Sequence, residues 1–90
     1  MFTIENNAIY ARDESGELLA EITFPETEPG VFTIDHTYVD RRYRGEGLAA
    51  ELVRAAVEEI RRRGGQVRAV CSYAAAWLER EMKETGGKEA

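Results

Sequence analysis

Residues 41–53 read Arg-Arg-Tyr-Arg-Gly-Glu-Gly-Leu-Ala-Ala-Glu-Leu-Val. Three arginines and two glycines run directly into an apolar, helix-forming segment. The first amides of a helix have no partner within it, and the helix dipole there is positive. Glycine lets backbone approach a bulky ligand and adopt torsions closed to other residues. Arg41, Arg42 and Arg44 add charge. The combination suits an anion, above all a phosphate. Two common phosphate motifs do not fit. A P-loop needs a lysine after its glycines, and none follows here. A dinucleotide fingerprint would use Gly45 and Gly47, but Ala50 stands at its third glycine. That motif also belongs after the first strand of a parallel sheet, whereas four strands with hairpin turns precede it here.

Cys71 and His36 are the single cysteine and the single histidine. Cys71 falls between a short strand and a helix start, where a dipole lowers a thiol pKa. It suits a nucleophile that takes an acyl group, or an acid to a departing sulfur. The plainer role is a small buried apolar side chain. His36 lies in the strand before the glycines, with a pKa suited to a general base near neutrality. Its plainer role is a hydrogen-bonded histidine on a sheet face. Asp35, on the opposite face, suits attraction of an amine, and Tyr73 suits either proton donation or aromatic packing. A lone cysteine forms no internal disulfide, which points to a reducing cytoplasm.

The elements that must position these residues follow from periodicity. Phe2 and Ile4, then Ile9 and Ala11, have strand character around an Asn6-Asn7 turn. Asp13 to Gly16 is a second turn, Leu18 to Phe24 a strand, and Pro25 to Gly30 a loop. Val31 to Val39 reads as one β-branched and aromatic strand, with Phe32, Ile34, His36 and Tyr38 on one face. Leu48, Leu52, Ala56 and Ile60 then recur four apart, a helical stripe that Gly64-Gly65 ends. Arg61 to Arg63 suit the dipole of its last turn. Val67 to Val70 is a short strand. Ser72 caps a last helix from Tyr73 to about Met82, with Ala74, Trp77, Leu78 and Met82 available for packing and a frayed TGGKEA tail. The expected fold is a single mixed, mostly antiparallel five-stranded sheet with two packed helices, in the α/β (α+β) class.

The 90 residues suffice for one domain with a small core. No apolar run has the length of a membrane span, and the N-terminus lacks the order of a secretion signal. Residues 1–40 carry nine acids and one base, and residues 41–90 eight acids and eleven bases, for a net charge of −5. The imbalance suggests either two ligand polarities or simple solubility. Overall acidity argues against general nucleic-acid binding. A scaffold this small gains by pairing as a homodimer through a sheet edge or helix face.

Val-Asp-Arg-Arg-Tyr-Arg-Gly-Glu-Gly-Leu-Ala-Ala resembles motif A of the GNAT superfamily of acetyl-CoA-dependent N-acetyltransferases. That motif is Arg or Gln, two residues, Gly, one residue, then Gly or Ala. Arg44, Gly47 and Ala49 match it, and Arg42, Gly45 and Gly47 match one register earlier. The first register also puts Tyr43-Arg44-Gly45 at the family's aromatic–Arg–Gly start and Val39 at its strand-end valine, while Arg41 stands where proline is common. With Asp-His-Thr-Tyr-Val-Asp before the loop and Cys-Ser-Tyr-Ala-Ala-Ala-Trp-Leu-Glu-Arg after the next strand, the chain is similar to a very short stand-alone branch. That branch has a minimal GNAT fold without the usual N-terminal helices. The resemblance implies acetyl-CoA or coenzyme A as co-substrate, no metal, and transfer of acetyl to an amine, on a small molecule or a protein. The backbone of Arg44, Gly45, Glu46, Gly47, Leu48 and Ala49 would wrap the pyrophosphate. Thr37, Tyr38 and Val39 would line the pantetheine arm. Leu78 falls where many members carry a proton-donating tyrosine. The alternative is therefore a non-catalytic module that binds or senses acyl-CoA.

Overall fold

The computed structural model describes the backbone of residues 2–89 and the side chains of residues 2–81. Strands β1 (Thr3–Ile4), β2 (Ala8–Arg12) and β3 (Leu18–Thr23) form antiparallel hairpins. Then come β4 (Glu26–Glu28), β5 (Val31–Ile34) and β6 (His36–Val39), a 3-10 turn at Arg41–Tyr43, α1 (Leu48–Arg62), β7 (Gln66–Ala69) and α2 (Ser72–Glu89). One sheet has the order β1-β2-β3-β6, the other β4-β5-β7. The β5–α1–β7 unit pairs its strands in parallel; every other pair is antiparallel.

The class is the expected one, with a difference in the sheet. The described residues make seven strands in two sheets rather than five in one. The expected loop after Pro25 contains β4, and the expected strand Val31 to Val39 breaks at Asp35. The break has a local cause. The Asp35 amide bonds the Thr23 carbonyl at 3.2 Å, and the Asp35 carboxylate accepts the Thr23 hydroxyl. His36 also pairs with Thr23. Two residues thus face one, which is a bulge.

A bulge reverses the facing of everything after it. Phe32 and Ile34 belong to the core. Beyond the bulge, Thr37 pairs with buried Ile22 and Val39 with buried Ala20, so odd-numbered residues take over the inner face. His36 and Tyr38 turn to the other face, beside Thr23 and Glu21. They do not share the face of Phe32 and Ile34.

The core lies between the sheets and α1. Leu52, Val53, Ala56, Val57 and Ile60 meet Ile9, Ile22, Phe24, Phe32 and Ile34, with Ala74 and Trp77 closing one end. α2 continues to Glu89, past the expected stop near Met82. Side chains after Glu81 lie outside the described ones, and the packing expected of Met82 lies there with them. No helix among the described residues is long and apolar enough to cross a membrane.

The arginines ending α1 do more than answer its dipole. Glu59 is nearly buried and receives Arg62 at 2.6 Å and Arg63 at 2.7 Å. Arg63 reaches on to the carbonyls of Asn6 and Glu5, at 2.6 and 3.2 Å, so α1 is tied to the β1–β2 turn. Hydrogen bonds from Arg62 and then Arg63 hold the Glu59 carboxyl at about 2, against an ordinary 4.5. This contribution is complete above pH 4.5 and is lost as pH falls toward 2. Urea midpoints of the wild type and Glu59→Gln should therefore converge across that range. A gap that stayed constant at the acid end would rule out the ion pairs as its source. Gly65 is tight for another reason: a Cβ there would lie 2.7 Å from Cε1 of Phe32, a ring packed in the core. Gly65→Ala should lower stability by about 1–3 kcal/mol in urea unfolding. An unchanged midpoint would mean that the ring has room to move.

Candidate functional site

The Ile34 carbonyl accepts two amides, Val70 at 3.0 Å and Cys71 at 3.3 Å. Pairing between β5 and β7 stops there, with Ile34 opposite Ala69. After the bulge, β6 follows β3 and, among the described residues, has no strand on its other side. Hydrogen-bonded pairs alternate in an antiparallel ladder. Asp40 donates to the Leu19 carbonyl at 2.7 Å, so, counting back by two, Tyr38 and His36 also turn their backbone groups to β3. Thr37 and Val39 direct theirs to the open side. The result is a fork between β6 and β7, with an unpaired strand edge along one arm.

Cys71 stands at the base of the fork. Ala75 donates to the Cys71 carbonyl at 2.9 Å, so Cys71 occupies the capping position of α2 that the sequence assigns to Ser72. Its sulfur lies 3.7 Å from the Thr37 hydroxyl. The neutral thiol donates to that oxygen, and the thiolate receives the hydroxyl proton instead. Burial pushes the thiol pKa up. The Ala74 amide, the Thr37 hydroxyl and the Tyr73 and Thr37 amides outweigh burial, and the net shift is downward. The site thus favours a thiolate by hydrogen bonding more than it penalises one by desolvation.

At the far end of β6 lies the arginine–glycine loop. Asp40 caps its 3-10 turn by accepting the Arg42 amide at 2.9 Å. The Arg42 guanidinium binds Asp40 at 3.0 Å and Glu17 at 2.8 Å. Those bonds, Asp40's first, raise its pKa and lower that of Asp40. The charge of Arg42 is therefore already answered, and it anchors the loop to the β2–β3 turn. Arg44 donates from Nε to the Val39 carbonyl at 3.1 Å, which fixes the stem of its side chain across the strand end. Gly45 and Gly47 have φ of 88° and 79°, left-handed values that favour glycine at both positions. Gly47 caps α1 without any side-chain bond, so the first-turn amides have no side-chain acceptor.

A cavity of about 320 Å³ opens at the loop and the end of β6. Val39, Arg44, Gly45, Gly47, Leu48 and Ala49, all singled out in the sequence, line it together. Tyr43 and Tyr73 complete the wall. Sequence reasoning treats them as a motif aromatic and a packing residue; an aromatic beside each helix start was the only signal. Thr37 faces Cys71, while Tyr38 and exposed His36 lie on the opposite face of β6. Glu46 lies outside this wall and lines a larger cavity of about 490 Å³ with Arg12, Tyr43 and Glu51. Two carboxylates there oppose an anion, whereas the smaller cavity is lined by Arg44 and the two left-handed glycines.

The family model of GCN5-related N-acetyl-transferases matches residues 8–85. The chain belongs to this family. A GCN5-like protein from Staphylococcus aureus is 32% identical, with a TM-score of 0.75 over 92% of this chain and 81% of that one. A ribosomal-protein-alanine N-acetyltransferase from Brucella melitensis is 25% identical, with a TM-score of 0.57 over 81% of this chain. A GNAT family N-acetyltransferase from Escherichia coli, solved in complex with CoA, is 24% identical, with a TM-score of 0.58 over 64% of this chain, and shares the fold. This chain spans only 60% and 35% of the latter two. No curated protein matches.

The downward shift at Cys71 has a direct readout. Iodoacetamide alkylation followed against pH should half-titrate below a cysteine peptide in the same buffer, and Thr37→Val should move the midpoint up. A midpoint at or above that of the peptide would mean that burial wins.

Proposed function

We propose that this protein transfers an acetyl group from acetyl-CoA to an amine, with Cys71 as the first acceptor. The observation that supports this most is the thiol beside Thr37 at the base of a fork whose other end is a phosphate-type loop. The pyrophosphate of the coenzyme binds the Arg44–Ala49 backbone and the start of α1. The pantetheine arm lies along β6, where the Thr37 carbonyl and the Val39 amide face the side without a strand, as an added strand would use them. This orientation brings the thioester to Cys71. The E. coli relative in complex with CoA supports the coenzyme class.

In the first step the Cys71 thiolate attacks the acetyl carbonyl. A carbon–sulfur bond forms at Cys71, the bond to the coenzyme sulfur breaks, and coenzyme A leaves as a thiolate. One thioester replaces another, so the step needs little driving force. It also needs no proton donor at residue 78, where this chain has a half-buried leucine packed on the core. In the second step a neutral amine attacks the acetyl-cysteine, and the Cys71 thiolate is released. His36 serves as the base for that amine if the acceptor arrives from the outer face of β6, where it is exposed. The leucine at 78 is also the observation that favours the second reading, a module that binds acyl-CoA without turnover.

Thermal unfolding with acetyl-CoA, CoA and ATP tests the ligand. At 100 times its dissociation constant a ligand adds about 2.7 kcal/mol. That corresponds to a midpoint shift of roughly 4–8 °C per kcal/mol in a domain this size. Both coenzyme species should raise the midpoint and ATP should not; failure of both would reduce the loop to a helix start. Intact mass after incubation with acetyl-CoA should gain one acetyl group on Cys71, and Cys71→Ala should gain none. Coenzyme binding without either acetyl-cysteine or acetylated amine would decide for the binding module. In turnover assays, His36→Gln should lower the rate across the pH profile. A profile unchanged by that substitution would remove His36 from the reaction.

A further inference from the structure

A second hollow lies between α1 and α2, separate from the loop cavity. Tyr73 lines the loop cavity, and Trp77 stands one turn later on the same face of α2. On α1, Ala49 lines the loop cavity, and Arg54 follows five residues on, about 8 Å along the axis. Arg54, Trp77, Arg80 and Glu81 together line a second hollow of about 220 Å³. Trp77 is 8% exposed and forms its floor. Neither Arg54 nor Arg80 makes an ion pair or hydrogen bond among the described residues, in contrast to Arg61, Arg62, Arg63 and Arg68. Glu81, the acid in the hollow, is engaged by Arg61 at 3.5 Å. Two uncommitted guanidinium groups therefore flank one polar hollow, one turn along α2 from the loop cavity.

We propose that Arg54 and Arg80 form a subsite for a phosphate monoester, the 3′-phosphate on the adenosine of coenzyme A, and so make the protein selective for the 3′-phosphorylated coenzyme. The inference rests on the coenzyme reading given above. Adenosine follows the pyrophosphate in the coenzyme, and its 3′-phosphate is a doubly charged group separate from it. Guanidinium forks match phosphate oxygens in geometry and charge. Helical side chains lean toward their own N-terminus, which carries both arginines back toward the loop. The hollow is open and polar, which suits a phosphate and leaves the adenine ring largely in solvent.

The experiment compares binding of CoA and 3′-dephospho-CoA to the full chain by calorimetry. The wild type should prefer CoA by about tenfold or more, the size of one charge-assisted hydrogen bond to a phosphate. Arg54→Gln/Arg80→Gln should lose that preference while its affinity for dephospho-CoA stays the same. The lysine pair, Arg54→Lys/Arg80→Lys, should keep part of it and serves as the folding control. Equal wild-type affinity for the two ligands would overturn the subsite and leave the coenzyme site standing. So would a double variant that weakens both ligands equally. Binding of neither ligand by the wild type would overturn the coenzyme reading itself, and the subsite with it.

Discussion

One backbone oxygen divides this molecule. The Ile34 carbonyl accepts two amides from the β7–α2 corner, while the next residue, Asp35, is held by Thr23 on the other side. The strand cannot follow both neighbours, so β5 stays with β7 and β6 stays with β3. Everything that gives the chain its site follows from this division. It leaves one edge of β6 without a neighbouring strand, so that the Thr37 amide turns to Cys71 and the Val39 carbonyl to Arg44, and it sets Cys71 at the point of separation. Unpaired strand edges are hazardous unless something covers them. Here the uncovered edge is short and lies between a thiol and a phosphate-type loop.

The loop at the other end is built with equal dependence on backbone. Two left-handed glycines turn the chain into α1, and Asp40 and Glu17 take up the charge of Arg42. The result separates two jobs that the sequence presents together. Arg42 anchors the loop, while the α1 amides and Arg44 face the cavity. The same pairing principle accounts for much of the charge imbalance along the chain. Glu17 with Arg42, Glu28 with Arg68, and the Glu5 and Asn6 carbonyls with Arg63 join the acidic first half to the basic second half. Exposed pairs of this kind contribute little stability each. Their effect is to orient the hairpins against α1 and the loop, so the expectation of two ligand polarities is not needed to explain the charges.

The thiol illustrates how a small fold lowers a pKa with ordinary parts. Among the described residues, no charged side chain bonds Cys71. Its environment is a helix start, one hydroxyl and a few amides, and together they outweigh burial. Capping by a cysteine places the sulfur where the helix amides converge, so the contact that ends β7 and starts α2 also favours the thiolate. This joins folding and chemistry at a single residue. It also explains why a leucine at position 78 leaves the proposed reaction intact: the step most in need of a proton donor is replaced by exchange between two thioesters.

By itself the sequence determined the opening hairpins, the helical stripe of α1, the glycine loop before it, the short strand and helix after it, and the family. Each of these is written in local pattern: spacing of four for a helix facing a core, alternation for strands, glycine where torsions must be left-handed. Only the tertiary structure decided which residues meet. The run from Val31 to Val39 carries no glycine or proline, so nothing local announces the bulge; it arises from Thr23, twelve residues away in the chain. That bulge moved His36 and Tyr38 to one face and Thr37 to the thiol, against the simple alternation of a continuous strand. The cap at Cys71 in place of Ser72, and the diversion of Arg42 to Glu17, have the same origin. Both depend on partners distant in sequence, and a pattern read along one strand or helix carries no information about which distant groups will arrive beside it.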